Sequence, residues 1–391
     1  VANTLLTATA ITREALRVLH QKLNFVGSIV REYDDSFAKK GAKIGDTLKI
    51  RLPNEYVVRD GATLAAQDTV EQNVELKVQT QKGVDLNFTS VDLTLSLDDF
   101  SERILEPAMS VLAAKVEADA MSMYKDVAQS IWNGGAAATY NQVLDGRTLL
   151  QNSLAPTNAR TANLNSYDMP DVVKDTKTLF NDQAQLGKQY KEGYVGRAAG
   201  FDFAENTLWP SHLRGAGAGY LVNNAAPTSG ATTLIVDTGT GAIKDGDVFT
   251  IAGVFRVHPE TKQSTGILQQ FVVTADATSG AGTWTISPAM VSTGGRQNIS
   301  ALPADNAAIT FLGTASTAVG TSLLYQKEAF AFATADLVMP NGVDFAARRV
   351  MDGLSMRIVR AYDINNDKFP CRLDILYGYA TLRAQLAARL H

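Results

Sequence analysis

The chain has 391 residues, 45% of them apolar and 19% charged, with a formal net charge of −4. That length and apolar content exclude a disordered chain and allow two or three domains with cores of their own. The acidic balance argues against a protein whose chief task is gripping nucleic acid, and the single cysteine, Cys371, excludes an intramolecular disulfide and a cysteine-rich zinc site.

Residues 1–10 are small and polar without a basic leader, so no secretory signal is expected. No run reaches the roughly 18 apolar residues of a membrane span. The chain is expected to be made in a cytoplasm and to stay soluble or self-assemble there. Residues 2–40 read as an arm. Residues 12–19 (TREALRVL) suit a short helix with Thr12 as its cap, residues 25–30 are apolar, and residues 33–40 are charged before Gly41 and Gly45. An arm this small has no core, so it lies against its own domain or against a neighbouring subunit.

Residues 47–90 are strand-rich. Residues 47–51 form one expected strand, ended by Pro53–Asn54, and residues 56–59 another, with Asp60–Gly61 as a turn signal. Val74, Leu76 and Val78 alternate with Glu75, Lys77 and Gln79; after Lys82–Gly83, Val84, Leu86 and Phe88 alternate with Asp85 and Asn87. The pattern predicts a long antiparallel hairpin with one apolar face. A lone ribbon is marginal in water, so that face needs a partner. Residues 97–106 (LDDFSERILE) read as a short helix whose Asp98–Asp99 complement its N-terminus, rather than an acid–base pair.

Residues 107–132 carry the clearest helical period. Leu112, Val116, Ala120, Met123, Val127 and Ile131 recur at steps of three and four, with Lys115, Asp119, Ser122, Asp126 and Gln129 on the other side. Pro107 suits the first turn and Gly134–Gly135 the stop. The expected helix is about 40 Å long, a spine on which sheets are hung. Further on, residues 168–171 (DMPD) cap a helix expected to run to Gly187. Residues 193–204 read as a strand loosened by glycine, continuing through 206–208.

Residues 219–320 differ in composition. They hold thirteen of the thirty glycines and only ten charges, with short strands at 233–236, 248–251, 270–274, 283–286 and 308–312. Such spacing predicts a small barrel or sandwich interrupting a host domain. Strands are expected again at 328–339, 355–362 and 371–377, the last pair antiparallel around a turn at 365–370. Residues 381–390 fit a helix or a strand.

Little here suggests chemistry. His20, His212, His258 and His391 show no ligand spacing. Cys371 reads as a small buried residue in a strand. Gly215, Gly217 and Gly219 spell GxGxG but lead into a strand-like segment, so they read as a linker; residues 239–244 lack phosphate-loop spacing. Arg348, Arg349, Arg357 and Arg360 form the one basic cluster, either surface charge, a face toward nucleic acid, or partners for acidic groups across an interface. Catalytic residues, cofactor and metal are all expected to be none. Segments that cannot bury themselves point to an oligomer.

The segments ANTLLTATAITREALRVL (2–19), GDVFTIAGVFRVHPETKQSTGILQQFVVT (246–274), YQKEAFAFATADLVMP (325–340) and RAYDINNDKFPCRLDILYGYATLRAQLAARL (360–390), in this element order, resemble the tailed-phage major capsid fold of the Hong Kong type. The wording is similar to the coat protein family of the short-tailed Salmonella phage P-twenty-two. The resemblance implies an α+β fold: N-terminal arm (1–42), extended β-hairpin loop (43–92), peripheral domain with the spine helix (93–142), axial domain (143–219), inserted all-β barrel-like domain (220–323) and a returning segment with C-terminal strands (324–391). It implies a structural coat protein that self-assembles as hexamers and pentamers into an icosahedral shell around packaged double-stranded DNA. The implied partners are a scaffolding protein, a portal protein and that DNA, bound without sequence specificity, and no membrane. Assembly in the host cytoplasm and residence in the virion follow. The extended loop would overlap a neighbour, making Arg51, Glu55, Arg59, Asp60, Glu71, Lys77 and Lys82 the expected intersubunit contacts. An encapsulin-like compartment or a tail component is the alternative, and an enzyme with a β-rich substrate-binding domain a more distant one.

Overall fold

A computed structural model describes residues 12–17, 19, 23–33, 46–59, 61–64, 66–67, 71–88, 106–176, 196–223, 227–351, 354–364 and 368–391. All but Glu106 of the helix expected over 97–106, with Asp98–Asp99, the stretch 177–195, and Asp60 lie outside these. The chain divides into two compact units: Val1–Ile50, Asn73–Met121 and Phe330–Leu382 in the first, Arg51–Gln72, Ser122–Ala329 and Arg383–His391 in the second.

The first unit is built on a six-stranded sheet. Its main path runs Val30–Tyr33, Phe330–Ala335, Phe369–Thr381, Leu354–Arg360 and Phe345–Met351, and Thr80–Phe88 pairs along Phe369–Thr381 as well. Val30–Tyr33 is parallel to its neighbour; the other pairings are antiparallel. The strand Phe345–Met351 was not expected from the sequence. Leu76, Val78, Ala331, Ala333, Ala335 and Leu376 pack together on one face.

The expected hairpin over 74–88 is replaced by a different pairing. Gln72–Val78 pairs with Asp46–Leu52 as a two-stranded ribbon, while Thr80–Phe88 joins the large sheet. Lys82–Gly83 is therefore strand, with Gly83 opposite Asp374. The glycine marks a close backbone approach instead of a turn: a Cβ there would stand 2.6 Å from the Leu373 carbonyl oxygen and 2.5 Å from Asp374 Oδ1. Residues 56–59 form no strand.

The spine helix is Glu106–Met121, 16 residues or about 24 Å, shorter than the expected 107–132. A 3-10 turn, Ser122–Asp126, follows and then a short strand, Ser130–Ile131. The apolar period continued past the helix because Met123 and Val127 are still buried; the spacing reports burial, and the backbone changes as the chain leaves the first unit. Glu117 is buried in the spine helix and its carboxylate accepts the backbone N–H groups of Phe25 and, at 3.2 Å, Val26. It thereby satisfies the orphan donors of the short helix Phe25–Ser28. Phe25 also packs on Phe330, ring centroids 5.7 Å apart. This part of the arm lies on its own domain.

In the second unit a six-stranded sheet runs Ser130–Ile131, Ala387–Leu390, Ser322–Gln326, Arg160–Leu164, Phe201–Glu205, Arg197–Ala198. Residues 381–390 thus resolve into a 3-10 turn, Ala384–Leu386, and a strand; residues 206–208 do not continue the strand before them. Helix Tyr140–Asn152, not foreseen, packs here, and its mid-helix Gly146 exists because a Cβ would stand 2.2 Å from Leu324 Cδ1. Its entry was legible as Thr139-x-x-Gln142, where Gln142 Oε1 accepts the Thr139 N–H at 2.8 Å. Helix Asp168–Thr176 begins at the expected DMPD. Asn165 supplies the cap, accepting the N–H groups of Tyr167 and Asp168, while the Asp168 carboxylate turns inward to Ser322, Asn165 and the Ala138 N–H.

The glycine-rich region forms a barrel. All five expected strands are present, as Ala231–Asp237, Val248–Val257, Ser264–Val273, Gly282–Met290 and Ile309–Phe311, and Leu221–Val222 is the sixth. The sheet order places Leu221–Val222 and Ile309–Phe311 at its two ends, and a bridge from Leu221 to Ala308 closes the ring. Closure removes the exposed edges. Trp284 fills the centre, its ring 4.9 Å from Tyr220 and 5.7 Å from both Phe249 and Phe311.

Candidate assembly surface and barrel anchor

The end of the ribbon and the loop beyond it are exposed. Arg51 and Glu71 face each other at 3.7 Å, side chains 79% and 62% exposed, a screened pair worth little stability. Glu55 is exposed, and its carbonyl oxygen stands 2.5 Å from where a Cβ on Gly295 would be, so the loop passes directly over the barrel segment holding that glycine. Arg59 donates back to the carbonyls of Gly61 and Thr63, and the Gln67 amide brackets Val57, accepting its N–H at 2.9 Å and donating to its carbonyl. Lys77 is exposed on the ribbon. Lys82 stands apart, half-buried in the large sheet, where its charge helps lower the Asp119 carboxyl. Asp60 lies outside the described residues. Apolar groups that charge alone does not mark lie beside these residues: Tyr56, Val58 and Leu64 are 56%, 86% and 84% exposed. Their signal is the run YVV set between charges without an alternating partner strand.

The arginine cluster separates. Arg357 pairs with buried Asp374 at 2.6 Å, Arg360 with Asp344 at 2.8 Å and Arg348 with Asp336 at 3.3 Å, while Arg349 is exposed. Three of the four are thus bound within their own domain, which leaves little of a basic face. Asp119, in the spine helix, accepts the Tyr377 hydroxyl at 2.7 Å. Burial opposes its charge, but that bond and Lys115 hold its carboxyl below the usual range.

The barrel is fastened to the rest of the second unit by a polar seam. Asp247 is almost wholly buried and accepts the backbone N–H groups of Gly215 and Lys244, at 3.0 and 2.9 Å. Its other oxygen meets His212 Nε2 at 3.1 Å, and His212 Nδ1 meets the Tyr124 hydroxyl at 3.2 Å. Arg389, fully buried, donates to the Gly246 carbonyl at 2.9 Å and lies 5.8 Å over the Tyr124 ring. Burial pulls its guanidinium down to about 10, so it stays charged at neutral pH. Lys125 pairs with Asp245 at 3.1 Å, and Arg256 donates to Ser153 at 2.7 Å. Ala128, Val248 and Val272 form a small apolar contact beside the seam. The three linker glycines are part of it: Gly215 and Gly217 press against Ala242–Ile243, and Gly219 takes φ +69°. The expected linker is therefore a fitted joint. His212 and His391, far apart in sequence, stand with ring centroids 6.2 Å apart.

A spine helix under a large sheet, an exposed ribbon with an apolar end, and a barrel inserted through a fitted linker define a structural shell protein of the tailed-phage major capsid class. The family model described as P22 coat protein, gene protein 5, matches residues 26–388; the chain belongs to the P22 coat protein family. It is a major capsid protein of the virion, and self-assembly into an icosahedral shell comes with the family. The compartment, tail and enzyme readings are not favoured. Among solved structures, one from Mycobacterium phage Che8 is similar over 94% of this chain and 91% of its own, at 11% identity and a TM-score of 0.47. The asymmetric unit of the bacteriophage PhiM1 mature capsid is similar over 94% and 86%, at 10% identity and 0.44. The CUS-3 coat protein I-domain is 31% identical over 27% of this chain and 96% of its own, with a TM-score of 0.18. No curated protein matches the chain.

Proposed function

We propose that the shell is held together by the ribbon of each subunit lying across its neighbour within hexamers and pentamers. The observation that carries this is the exposed end of the ribbon, where Tyr56, Val58 and Leu64 present apolar surface beside Arg51, Glu55, Arg59 and Glu71. Exposed apolar side chains rimmed by charge favour burial against a protein partner, and charge complementarity sets the register. Lys77, exposed on the ribbon, extends the same contact, while Lys82 in the large sheet does not. A scaffolding protein guides the assembly in the host cytoplasm, and a portal admits double-stranded DNA, which the inner surface encloses without reading its sequence. The net charge of −4 fits enclosure without tight binding.

The test is charge reversal at Arg51, Arg59, Glu71 and Lys77 together, with scaffold present. The expected result is loss of closed shells by electron microscopy and of fast-sedimenting particles, while the subunit keeps its circular dichroism and melting temperature. Normal shells built from a subunit that melts lower would show the ribbon to be an internal element.

A further inference from the structure

The seam between the barrel and the rest of its unit gathers more titratable groups than anchoring requires. The turn Ser122–Asp126 brings Tyr124, Lys125 and Asp126; the strand Ser211–Leu213 brings His212, with Arg214 just beyond it. The loop ahead of Val248 brings Asp245 and Asp247, and the chain from Ala387 onward brings Arg389 and His391. His212 is satisfied as a neutral ring: the Tyr124 hydroxyl donates to Nδ1 and Nε2–H donates to Asp247. Among the described residues a carboxylate meets the His212 ring and none is hydrogen-bonded to the ring of His391. Its backbone is held on both sides, N–H to the Ile131 carbonyl at 3.1 Å and C=O from the Asn133 N–H at 2.9 Å, which keeps the ring beside His212. Asp245 is already engaged by Lys125, and the cation nearest in sequence is the buried Arg389.

We propose that this seam is a proton-sensitive latch, in which protonation of His391 beside His212 and Arg389 releases the barrel from the turn Ser122–Asp126 and from the strand Ala387–Leu390 while the barrel keeps its own core. The core survives because it is apolar and self-contained: Tyr220, Leu234, Phe249, Phe271, Trp284 and Ile286 all come from within it. The sign follows from the environment of His391. Burial, then Arg389 and His212, hold its imidazole well below the ordinary range, so the latched state binds fewer protons than the released one. The contribution of His391 to latching is complete above about pH 6.5 and is lost as the pH falls below that. The fixed charge that a His391 cation would meet is the fully buried Arg389 guanidinium, and like charges repel more in such a site than at a surface.

The experiment uses the full chain, unassembled, with its four histidines isotopically labelled. A histidine in a short unstructured peptide is the reference. The expected result is that His391 titrates at least about tenfold more acid than that peptide. Backbone hydrogen exchange, corrected for intrinsic rates, should quicken about tenfold or more in 122–133 and 385–391 between about pH 7.5 and about pH 5.5, with 249–251 and 271–273 unchanged. His391→Gln should abolish the change. A His391 that titrates like the peptide, unchanged exchange in the seam, or a response that persists in His391→Gln would overturn the proposal. The histidine titration and the exchange are both read on the unaltered chain and together decide the matter even if the variant does not fold.

Discussion

The side-chain amide of Gln270 forms two hydrogen bonds with the backbone of a single residue, Ser130: Oε1 accepts its N–H at 2.9 Å and Nε2 donates to its carbonyl at 2.9 Å. Ser130–Ile131 is the outermost strand of its sheet, so a barrel side chain supplies what a further strand would. One residue thus both covers an edge and holds the barrel in register with the sheet.

Gln270→Ala removes both bonds and should destabilise the second unit by about 1–2 kcal/mol. Gln270→Glu should cost more, because a carboxylate cannot donate to the Ser130 carbonyl. Denaturant unfolding of the full chain followed by Trp fluorescence checks both; equal stability of all three proteins would remove the amide from the account.

Gly83→Ala should destabilise the first unit by roughly 1–3 kcal/mol, since the new Cβ would meet the Leu373 carbonyl and the Asp374 carboxylate, which also holds Arg357 and Arg372. Gly27→Ala is the control: nothing lies within 4 Å of its Cβ position, and it should be near neutral. The two midpoints in a urea titration are the measurement.

Cys371 is buried, and burial pushes its thiol up to about 12. The reactive species is the thiolate, so the folded chain should resist iodoacetamide at about pH 8 and react on unfolding. Mass spectrometry before and after denaturant gives the answer; rapid labelling of the folded chain would contradict the packing around this strand.

The barrel, excised as residues 220–323, should fold alone. Its aromatic core is drawn wholly from that range and its ring is closed by the Leu221–Ala308 bridge. Dispersed amide NMR signals and a cooperative melt are expected; an unfolded spectrum would show that the seam at Asp247 is needed to hold the barrel together.

Much of the architecture was legible because it rests on local signals. The barrel strands follow from short apolar runs between glycine turns, and the helix at DMPD from its acidic start. The family resemblance followed from extended wording, without any chemical motif. The spacing from Leu112 to Val127 correctly marked burial. It could not mark the end of the helix at Met121, because a step of three or four looks the same whether the buried residues sit in one helix or pass from a helix into a turn and a strand. Gly83 shows the same limit: a glycine between two alternating runs reads as a turn, and only the strand across from it, with Asp374 opposite, reveals a close approach.

The candidate sites divide along the same line. Arg51, Glu71 and their neighbours follow from charge on a ribbon that cannot bury itself, together with the family resemblance, and Arg51, Glu55, Arg59, Glu71 and Lys77 are exposed. The seam was invisible, because Tyr124, His212, Asp247 and His391 are separated by tens to hundreds of residues. The sequence by itself determined composition, the short barrel strands and the start of the helix at DMPD, since these depend on neighbours along the chain. Only the tertiary structure decided which strands pair and which titratable groups share one site, because those energies depend on distance in space and on exclusion of water.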